Sequence, residues 1–160
     1  MRAKNSISVK KHGGSTDTHK LRERLPLGQK FIDNGDGTVT DLSTGLMWAK
    51  DMHSAGCNHG KMLTWQGAMQ YAKSLSFAGY SDWRLPSIKE LVSIADYSKL
   101  SPAIHGIFKG TPCGYFWSGS NFKSDTRGAW VVGFDTGRVN GDDKSEFFYI
   151  RCVRDAAKMR

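Results

Sequence analysis

The chain lacks long apolar runs, and this absence limits where it can act. No apolar segment approaches the ~18 residues that a transmembrane helix needs, so we expect no membrane insertion. No apolar stretch of about 7–15 residues follows the basic amino-terminal residues, so the pattern is not that of a secretory signal peptide. The compartment stays unknown from the sequence, with a cell or virion surface favoured over a purely cytoplasmic location.

Cysteine is scarce, with three residues at Cys57, Cys113 and Cys152. Three cysteines cannot all pair within one chain, so the alternatives are one disulfide with a free thiol, or three free thiols. Both alternatives stay open, so the sequence does not determine whether the protein resides in an oxidising or a reducing compartment.

Catalytic motifs are also missing. The sequence contains no hydrolase nucleophile elbow, no phosphate-binding loop and no dinucleotide fingerprint. No pair of carboxylates stands at a spacing that identifies a catalytic site. We therefore expect a protein without catalytic residues and without a cofactor.

Two short segments contain metal-ligand residue types, but neither has the pattern of a metal site. His53, Cys57 and His59 lie within seven residues, their spacing matches no standard zinc motif, and a fourth ligand is missing. Residues 33–37 contain calcium-type ligands, but Ile32 stands where an EF-hand needs its first ligand. We predict a polar loop and a hairpin turn, respectively. The alternatives are a metal-dependent enzyme and a calcium site of another geometry.

Positive charge is concentrated at the amino terminus. The chain has 23 Lys and Arg residues against 15 Asp and Glu, a formal net charge of +8. Residues 1–30 carry eight of the basic and two of the acidic residues, whereas the remaining 130 residues are nearly balanced. Few large apolar residues precede residue 29, so we predict a basic flexible arm over residues 1–28 and one folded domain over residues 29–160. We interpret the arm as a solvated tail in preference to one that binds a polyanion.

Two helices are predicted in the middle of the chain. Thr64 caps the first, whose apolar residues recur with helical spacing and which we expect to end at Gly79. Ser87 and Glu90 form a capping box that starts the second, predicted over residues 88–97.

Strands precede and follow these helices. Turn residues at 33–37 predict a hairpin, and residues 45–49 have the pattern of a buried strand. Aromatic and β-branched residues predict three more strands at residues 115–118, 129–134 and 147–153. This order predicts an α+β fold in which two helices pack on a mostly antiparallel, twisted sheet.

Polar residues between the last three predicted strands form a candidate recognition region. Ser, Asn, Asp, Arg and Lys side chains at residues 118–127 and 138–144 are accompanied by the aromatic rings of Phe122 and Trp130. Such side chains on loops that a rigid sheet supports are a common composition of binding surfaces. Ordinary solvated turns have much the same composition, and this alternative stays open.

Seven segments of the chain, each weak alone, occur in the order found in a known family. They are FIDNGDGTVTDLSTGLMWAK, TWQGAMQYAKSL, GYSDWRLPSIKEL, SPAIHGIF, YFWSGS, AWVVGFDTGRV and YIRCVR. On these segments the chain, from Phe31 to Arg154, resembles the Lcl C-terminal domain family, the C-terminal domain of the Legionella collagen-like adhesin.

The resemblance implies a C-type-lectin-like fold. The first and last strands of that fold would pair, here residues 46–49 with residues 150–154. Arg84 and Glu90 would be structural hydrogen-bond partners. The core residues that the resemblance implies are Trp48, Trp83, Leu85 and Trp117.

The resemblance also implies a function in recognition. Family members are mostly non-enzymatic modules of adhesins, surface proteins and phage-type receptor-binding proteins; some bind sulfated glycans and some form trimers. We therefore expect binding of a cell-surface glycan or protein, including a sulfated or acidic polymer, and a homotrimer or larger assembly. The alternative is a structural or decorating component of a virion or surface assembly, anchored by the basic arm. The implied contact residues are Ser118, Ser120, Asn121, Lys123, Arg127, Trp130, Arg138, Asn140, Asp142 and Lys144.

The chain departs from the family in its cysteines and its sugar signatures. Many relatives place a cysteine in the first helix, near residues 71–73, which pairs with the cysteine of the RCVR segment; this chain has none there. Cys152 would then pair elsewhere, for instance with Cys113, or stay reduced. The calcium-dependent sugar signatures of C-type lectins are missing, so we expect no calcium-bridged monosaccharide site.

Overall fold

The computed structural model of the protein describes residues 28–156. The strands are β1 (Phe31–Asp33), β2 (Thr38–Asp41), β3 (Leu46–Ala49), β4 (Tyr115–Asn121), β5 (Gly128–Gly133), β6 (Arg138–Asp143) and β7 (Val153–Asp155). The helices are a 3-10 helix (Ala55–Gly60), α1 (Trp65–Ser74) and α2 (Ile88–Val92). The predicted basic arm, residues 1–28, lies outside the described residues except for Gly28. None of the helices between residues 28 and 156 has the length and apolar character needed to cross a membrane.

The first sheet joins the beginning and the end of the described chain. Its strands lie in the order β1-β2-β3-β7, and all neighbours are antiparallel. The β1–β2 connection is the predicted hairpin turn, in which the Asp36 carboxylate accepts a hydrogen bond from the Thr38 amide at 3.0 Å. β7 pairs with β3 so that Val153 lies opposite Trp48. The expected pairing of residues 46–49 with the last strand is therefore confirmed, although that strand starts only at Val153.

A second sheet, in the order β4-β5-β6, corrects the prediction of a single sheet, while the α+β class is confirmed. The predicted strand at residues 147–153 is wrong for residues 147–152; only Val153 lies in a strand, as the first residue of β7. Strand β6 takes its place beside β5, and Phe148 and Tyr149 form only isolated bridges to other segments. β6 was not predicted because its sequence, RVNGDD, contains a single apolar residue, Val139, which is 43% exposed. An edge strand needs few apolar side chains, since its outer side is not covered.

Helix α1 starts as predicted and ends early. The Thr64 side chain accepts a hydrogen bond from the amide three residues later at 3.2 Å, which confirms the cap. The helix ends at Ser74 instead of Gly79. Phe77 and Tyr80 exchange two backbone hydrogen bonds of 3.0 Å and close a turn there, so these amides are not available to the helix.

Helix α2 also starts at its predicted cap. The Ser87 hydroxyl accepts a hydrogen bond from the Glu90 amide at 3.2 Å, and the Glu90 carboxylate accepts one from the Ser87 amide at 2.7 Å. The helix ends at Val92, five residues earlier than predicted. Beyond it the Asp96 amide donates to the Ala103 carbonyl at 3.1 Å, so the chain turns back on itself instead of continuing the helix.

The second sheet lies between two apolar clusters. Phe116 and Val132, opposite each other on β4 and β5, belong to the cluster that contains Trp48 and part of α2. Trp117 and Val131, the next pair in register, belong to the cluster that contains the apolar face of α1. Alternate side chains of a strand lie on opposite faces, so these two strands are covered on both sides. The expected core residues are confirmed as buried: Trp48, Trp83, Leu85 and Trp117.

Two arginines attach β7 to the segment before α2. Arg84 donates two hydrogen bonds of 2.8 Å to the Glu90 carboxylate and a third, of 3.0 Å, to Asp155. Arg154, which is 3% exposed, donates to Asp82 at 2.6 and 3.1 Å. Bidentate pairs of this kind fix geometry as well as adding energy. The expected structural role of Arg84 and Glu90 is confirmed.

We predict that Glu90→Gln destabilises the domain at neutral pH by about 1–2 kcal/mol, because it weakens the pair with Arg84 and half of the capping box. The hydrogen bond from Arg84, followed by those from Ser87, holds the pKa of Glu90 below its usual 4.5. Its stabilising contribution is therefore complete above about pH 5 and disappears as the pH falls through the folded-state pKa. Urea denaturation from pH 7 to pH 3 measures the difference between variant and wild type.

Glu146→Gln is the matched control, since Glu146 is exposed. We expect it to change stability by less than about 0.5 kcal/mol at every pH. A stability difference between Glu90→Gln and wild type that stays constant down to pH 3 would contradict the role given to the Arg84–Glu90 pair.

Candidate functional site

The predicted contact residues lie around the outer edge of the second sheet. Alternate side chains of a strand lie on opposite faces, so Arg138, Asn140 and Asp142 of β6 share one face. Trp130 of β5 lies on the other face, opposite Gly141 in register. The predicted set therefore surrounds one edge of the sheet and does not form a single flat surface.

Ser118 is not available to a ligand, which corrects its prediction as a contact residue. It is fully buried, and its hydroxyl donates to the Trp130 carbonyl at 2.7 Å and accepts from the Ser120 amide at 3.2 Å. The Ser120 hydroxyl accepts in turn from the Ile88 amide at 3.0 Å, at the start of α2. Of the three predicted residues in β4, only Asn121 is exposed. Exposure in a strand is predicted from the alternation of buried and exposed side chains, and a register shift within β4 interrupts this alternation.

An open cleft of about 430 Å³ lies where β5, β6 and the loop at residues 122–127 meet. Among the predicted contact residues, Arg127 and Asp142 line this cleft. Two stretches that are well separated in the chain therefore share one cavity. The lining residues are Phe122, Ser124, Asp125, Arg127, Gly128, Gly141, Asp142 and Asp143.

The ring of Phe122 forms the apolar wall of the cleft. It packs against the Trp130 ring at a centroid distance of 4.4 Å and lies directly over Gly128 and Gly141. A Cβ atom added at Gly141 would lie 1.4 Å from the Phe122 ring, so a side chain there would displace the ring. Phe122 is missing from the predicted contact set. The available signal was the glycine opposite Trp130, since a glycine in a strand often marks a close approach by another group.

Carboxylates outnumber cations among the residues that line the cleft. Arg127 donates to both oxygens of Asp125, at 3.1 and 2.9 Å, and this bond holds the pKa of Asp125 below its usual value. The Asp143 carboxylate accepts from the amide and hydroxyl of Ser145, both at 2.8 Å, and these bonds lower its pKa. Asp142 adds a third carboxylate. The cleft is therefore acidic at neutral pH, and its carboxylate oxygens can accept hydrogen bonds from hydroxyl or amino groups.

The other predicted cations lie outside the cleft and against aromatic rings. Arg138 donates to the Tyr115 hydroxyl at 2.9 Å and its guanidinium lies 5.8 Å from the centre of that ring. Lys144 donates to the Thr126 carbonyl at 2.7 Å, with its ammonium 4.2 Å from the centre of the Trp65 ring. Lys123 and Asn140 are exposed. Arg138 is the first residue of β6 and Lys144 directly follows its last residue, so their Cα atoms are separated by about 20 Å.

The segments considered for metals have other roles. Cys57 is fully buried, and the His59 ring nitrogen Nδ1 lies 3.0 Å from the His53 carbonyl. Asp33 forms an ion pair with Lys50, in keeping with a hairpin turn. Between residues 28 and 156 there is no group of three or more His, Cys, Asp or Glu side chains that could hold a metal ion.

Comparison with protein-family models identifies the family of the chain. The family model described as the Lcl C-terminal domain matches residues 37–154, which include strands β2 to β6 and the whole cleft. The resemblance found in the sequence is thereby confirmed. No curated protein matches the chain.

We predict that Gly141→Ala displaces the Phe122 ring and widens the cleft while the domain stays folded, because a side-chain ring can rotate away from the added methyl group. Overpacking of this kind costs about 1–3 kcal/mol. Thermal unfolding and the NMR shifts of the Phe122 ring measure the two effects.

Gly119→Ala in β4 is the matched control, since its new Cβ would make only ordinary contacts, the nearest at 3.6 Å from Leu85. We expect it to leave both the melting temperature and the Phe122 ring unchanged. Equal effects of the two substitutions would contradict the placement of Phe122 over Gly141.

Proposed function

Because the chain belongs to the Lcl C-terminal domain family, we propose that it is an adhesin-related recognition module that binds a cell-surface glycan at the edge of its second sheet. The observation that carries this proposal is the cleft, in which the Phe122 ring stands beside three carboxylates and a guanidinium. An apolar wall with a few placed polar groups is the usual composition of a ligand site. A sugar ring offers both complements, an apolar face for the aromatic ring and hydroxyl groups for the carboxylates.

The proposed ligand is an oligosaccharide that extends along β6, with acidic groups outside the cleft. Arg138 and Lys144 are about 20 Å apart, so one small anion cannot contact both. Arg138 lies on the face of β6 opposite to the Phe122 ring, so a chain of several sugar units would have to pass over the outer edge of the sheet to contact this cation and still place one ring in the cleft. Both cations are held in position by an aromatic ring, and such preorganisation reduces the entropy lost on binding.

The proposed activity is binding without catalysis. The pKa values of Asp125 and Asp143 are lowered by hydrogen bonds, from Arg127 and Ser145 respectively, so both groups are ionised at neutral pH. A carboxylate acting as general acid needs a raised pKa, which these two groups do not have. This electrostatic pattern supports a surface that accepts hydrogen bonds from its ligand.

We assign the domain to the C-type-lectin-like fold. The pairing of the final strand β7 with β3, and a second sheet that carries the proposed site, support this assignment. In this arrangement the first sheet closes the domain and the second presents the ligand surface.

We predict that a glycan array probed with the full chain gives selective binding to acidic or sulfated oligosaccharides, stronger at low salt than at physiological salt. Arg138→Ala and Lys144→Ala should each weaken binding by about 10-fold or more, because a charge-assisted hydrogen bond is lost. Thermal unfolding should show that both variants remain folded.

Lys109→Ala is the charge-matched control, since Lys109 is exposed and lines another part of the surface. It should leave binding unchanged at fixed salt. A blank array at both salt concentrations, or an equal loss for all three variants, would contradict the proposed site.

A further inference from the structure

Two of the three cysteines lie side by side in the interior. Cys57 and Cys152 are both fully buried, whereas Cys113 is exposed, and all three are free thiols. The Cys152 amide donates to the carbonyl of Gly56, the residue just before Cys57, at 2.9 Å. The 3-10 helix and the segment before β7 are therefore neighbouring chains at this point.

This hydrogen bond limits the distance between the two cysteines. The Gly56 carbonyl belongs to the peptide unit that ends at the Cα atom of Cys57, and the Cys152 amide nitrogen is bonded to the Cα atom of Cys152, so these two Cα atoms lie within roughly 7 Å of each other. Disulfides form between cysteines whose Cα atoms are about 4.4–6.8 Å apart, so this limit is compatible with a crosslink between Cys57 and Cys152. By contrast, Cys113 is exposed.

The local backbone is held firmly on several sides. The Cys152 carbonyl accepts from the Ala49 amide at 3.1 Å, and the Tyr71 hydroxyl donates to the Ala55 carbonyl at 2.6 Å. A Cβ at Gly56 would lie 2.4 Å from that of Ala49, so the 3-10 helix packs directly on β3. The crosslink would therefore join two segments that do not have to move from their native positions to accommodate it.

Electrostatic effects agree with this proximity. Burial raises the pKa of both thiols, and negative charge at Cys57 adds to the rise in the pKa of Cys152, whereas the charge of Asp51 adds to the rise in the pKa of Cys57. The guanidinium of Arg151, which is fully buried, acts in the opposite direction on both thiols. Burial raises the pKa of Tyr71, and negative charge at Cys152 and Cys57 adds to this effect, so both thiols lie near one hydroxyl.

We propose that Cys57 and Cys152 form a structural disulfide when the chain folds in the presence of a small-molecule disulfide such as glutathione disulfide. One cysteine thiolate attacks the oxidant and releases one glutathione thiolate, giving a mixed disulfide. The second cysteine thiolate then attacks the protein sulfur and releases the second glutathione. Two protein thiols are oxidised to one disulfide, and one glutathione disulfide is reduced to two glutathione molecules. Both cysteines are fully buried after folding, so the exchange takes place before the interior closes.

The crosslink would close a loop of roughly 100 residues, which includes both helices and all of the second sheet. Constraining so long a loop in the unfolded chain is expected to raise the melting temperature by roughly 10 °C. The test refolds the full-length Cys113→Ala variant from denaturant, once with glutathione disulfide and once with excess dithiothreitol. Removing Cys113 leaves only the buried pair and prevents crosslinks between molecules.

The proposal predicts that the oxidised sample contains no titratable thiol in denaturant, and that peptide mapping without reductant finds residues 57 and 152 in one linked pair. Its melting temperature should exceed that of the reduced sample, and dithiothreitol added in denaturant should abolish the difference. Cys57→Ala and Cys152→Ala should show no such difference. Two titratable thiols after oxidative refolding, or wild-type protein in which Cys113 is the linked partner, would overturn the proposal. The peptide map tests the linkage directly, so the result does not depend on whether the Cys57→Ala and Cys152→Ala variants fold.

Discussion

The fold depends on the pairing of its last strand with its third. β7 lies beside β3, so the end of the described chain closes the sheet that the beginning opened. Only three residues of β7 take part, and such a short pairing is weak alone. Arg84 and Arg154 strengthen it with bidentate carboxylate pairs, and backbone bonds between Arg84 and Val153 run in both directions at 2.9 Å. The loops and helices between β3 and β7 therefore begin and end in the same sheet.

That closure positions the proposed site. Arg151 lies two residues before the last strand. It donates to the Ala49 and Lys50 carbonyls at 2.6 and 2.9 Å and to the Thr111 hydroxyl at 2.8 Å. The segment before β4 is therefore held against the first sheet. From this support the second sheet extends outward, with β4 and β5 buried on both faces and β6 at the edge. The proposed recognition surface would lie on the least enclosed strand of a rigid support, as is common for binding sites.

The sequence was informative where local chemistry decides the structure. Thr64 and the Ser87–Glu90 box start helices because a side-chain oxygen satisfies an early amide, whatever the rest of the fold. The ends of the helices were mispredicted because distant partners set them. β6 was not predicted because an edge strand lacks the apolar pattern of a buried strand. The burial of Ser118 was not predicted because it depends on the register shift in β4. The region of the candidate cleft was predicted, but the role of Phe122 was not, since it arises from two glycines that only the fold brings under its ring.

The position of β6 also affects how this surface can change over evolution. Its ladder with β5 consists of backbone bonds that do not depend on side-chain identity, and Arg138, Val139, Asn140 and Asp143 are exposed. Substitutions at such positions usually alter stability by no more than about 0.5 kcal/mol. Gly141 is the exception within the strand, since the Phe122 ring occupies the space over it. The exposed residues of this edge can therefore change in many ways without loss of the fold, and with them the ligand preference of the proposed site, whereas a side chain in place of Gly141 would displace the Phe122 ring.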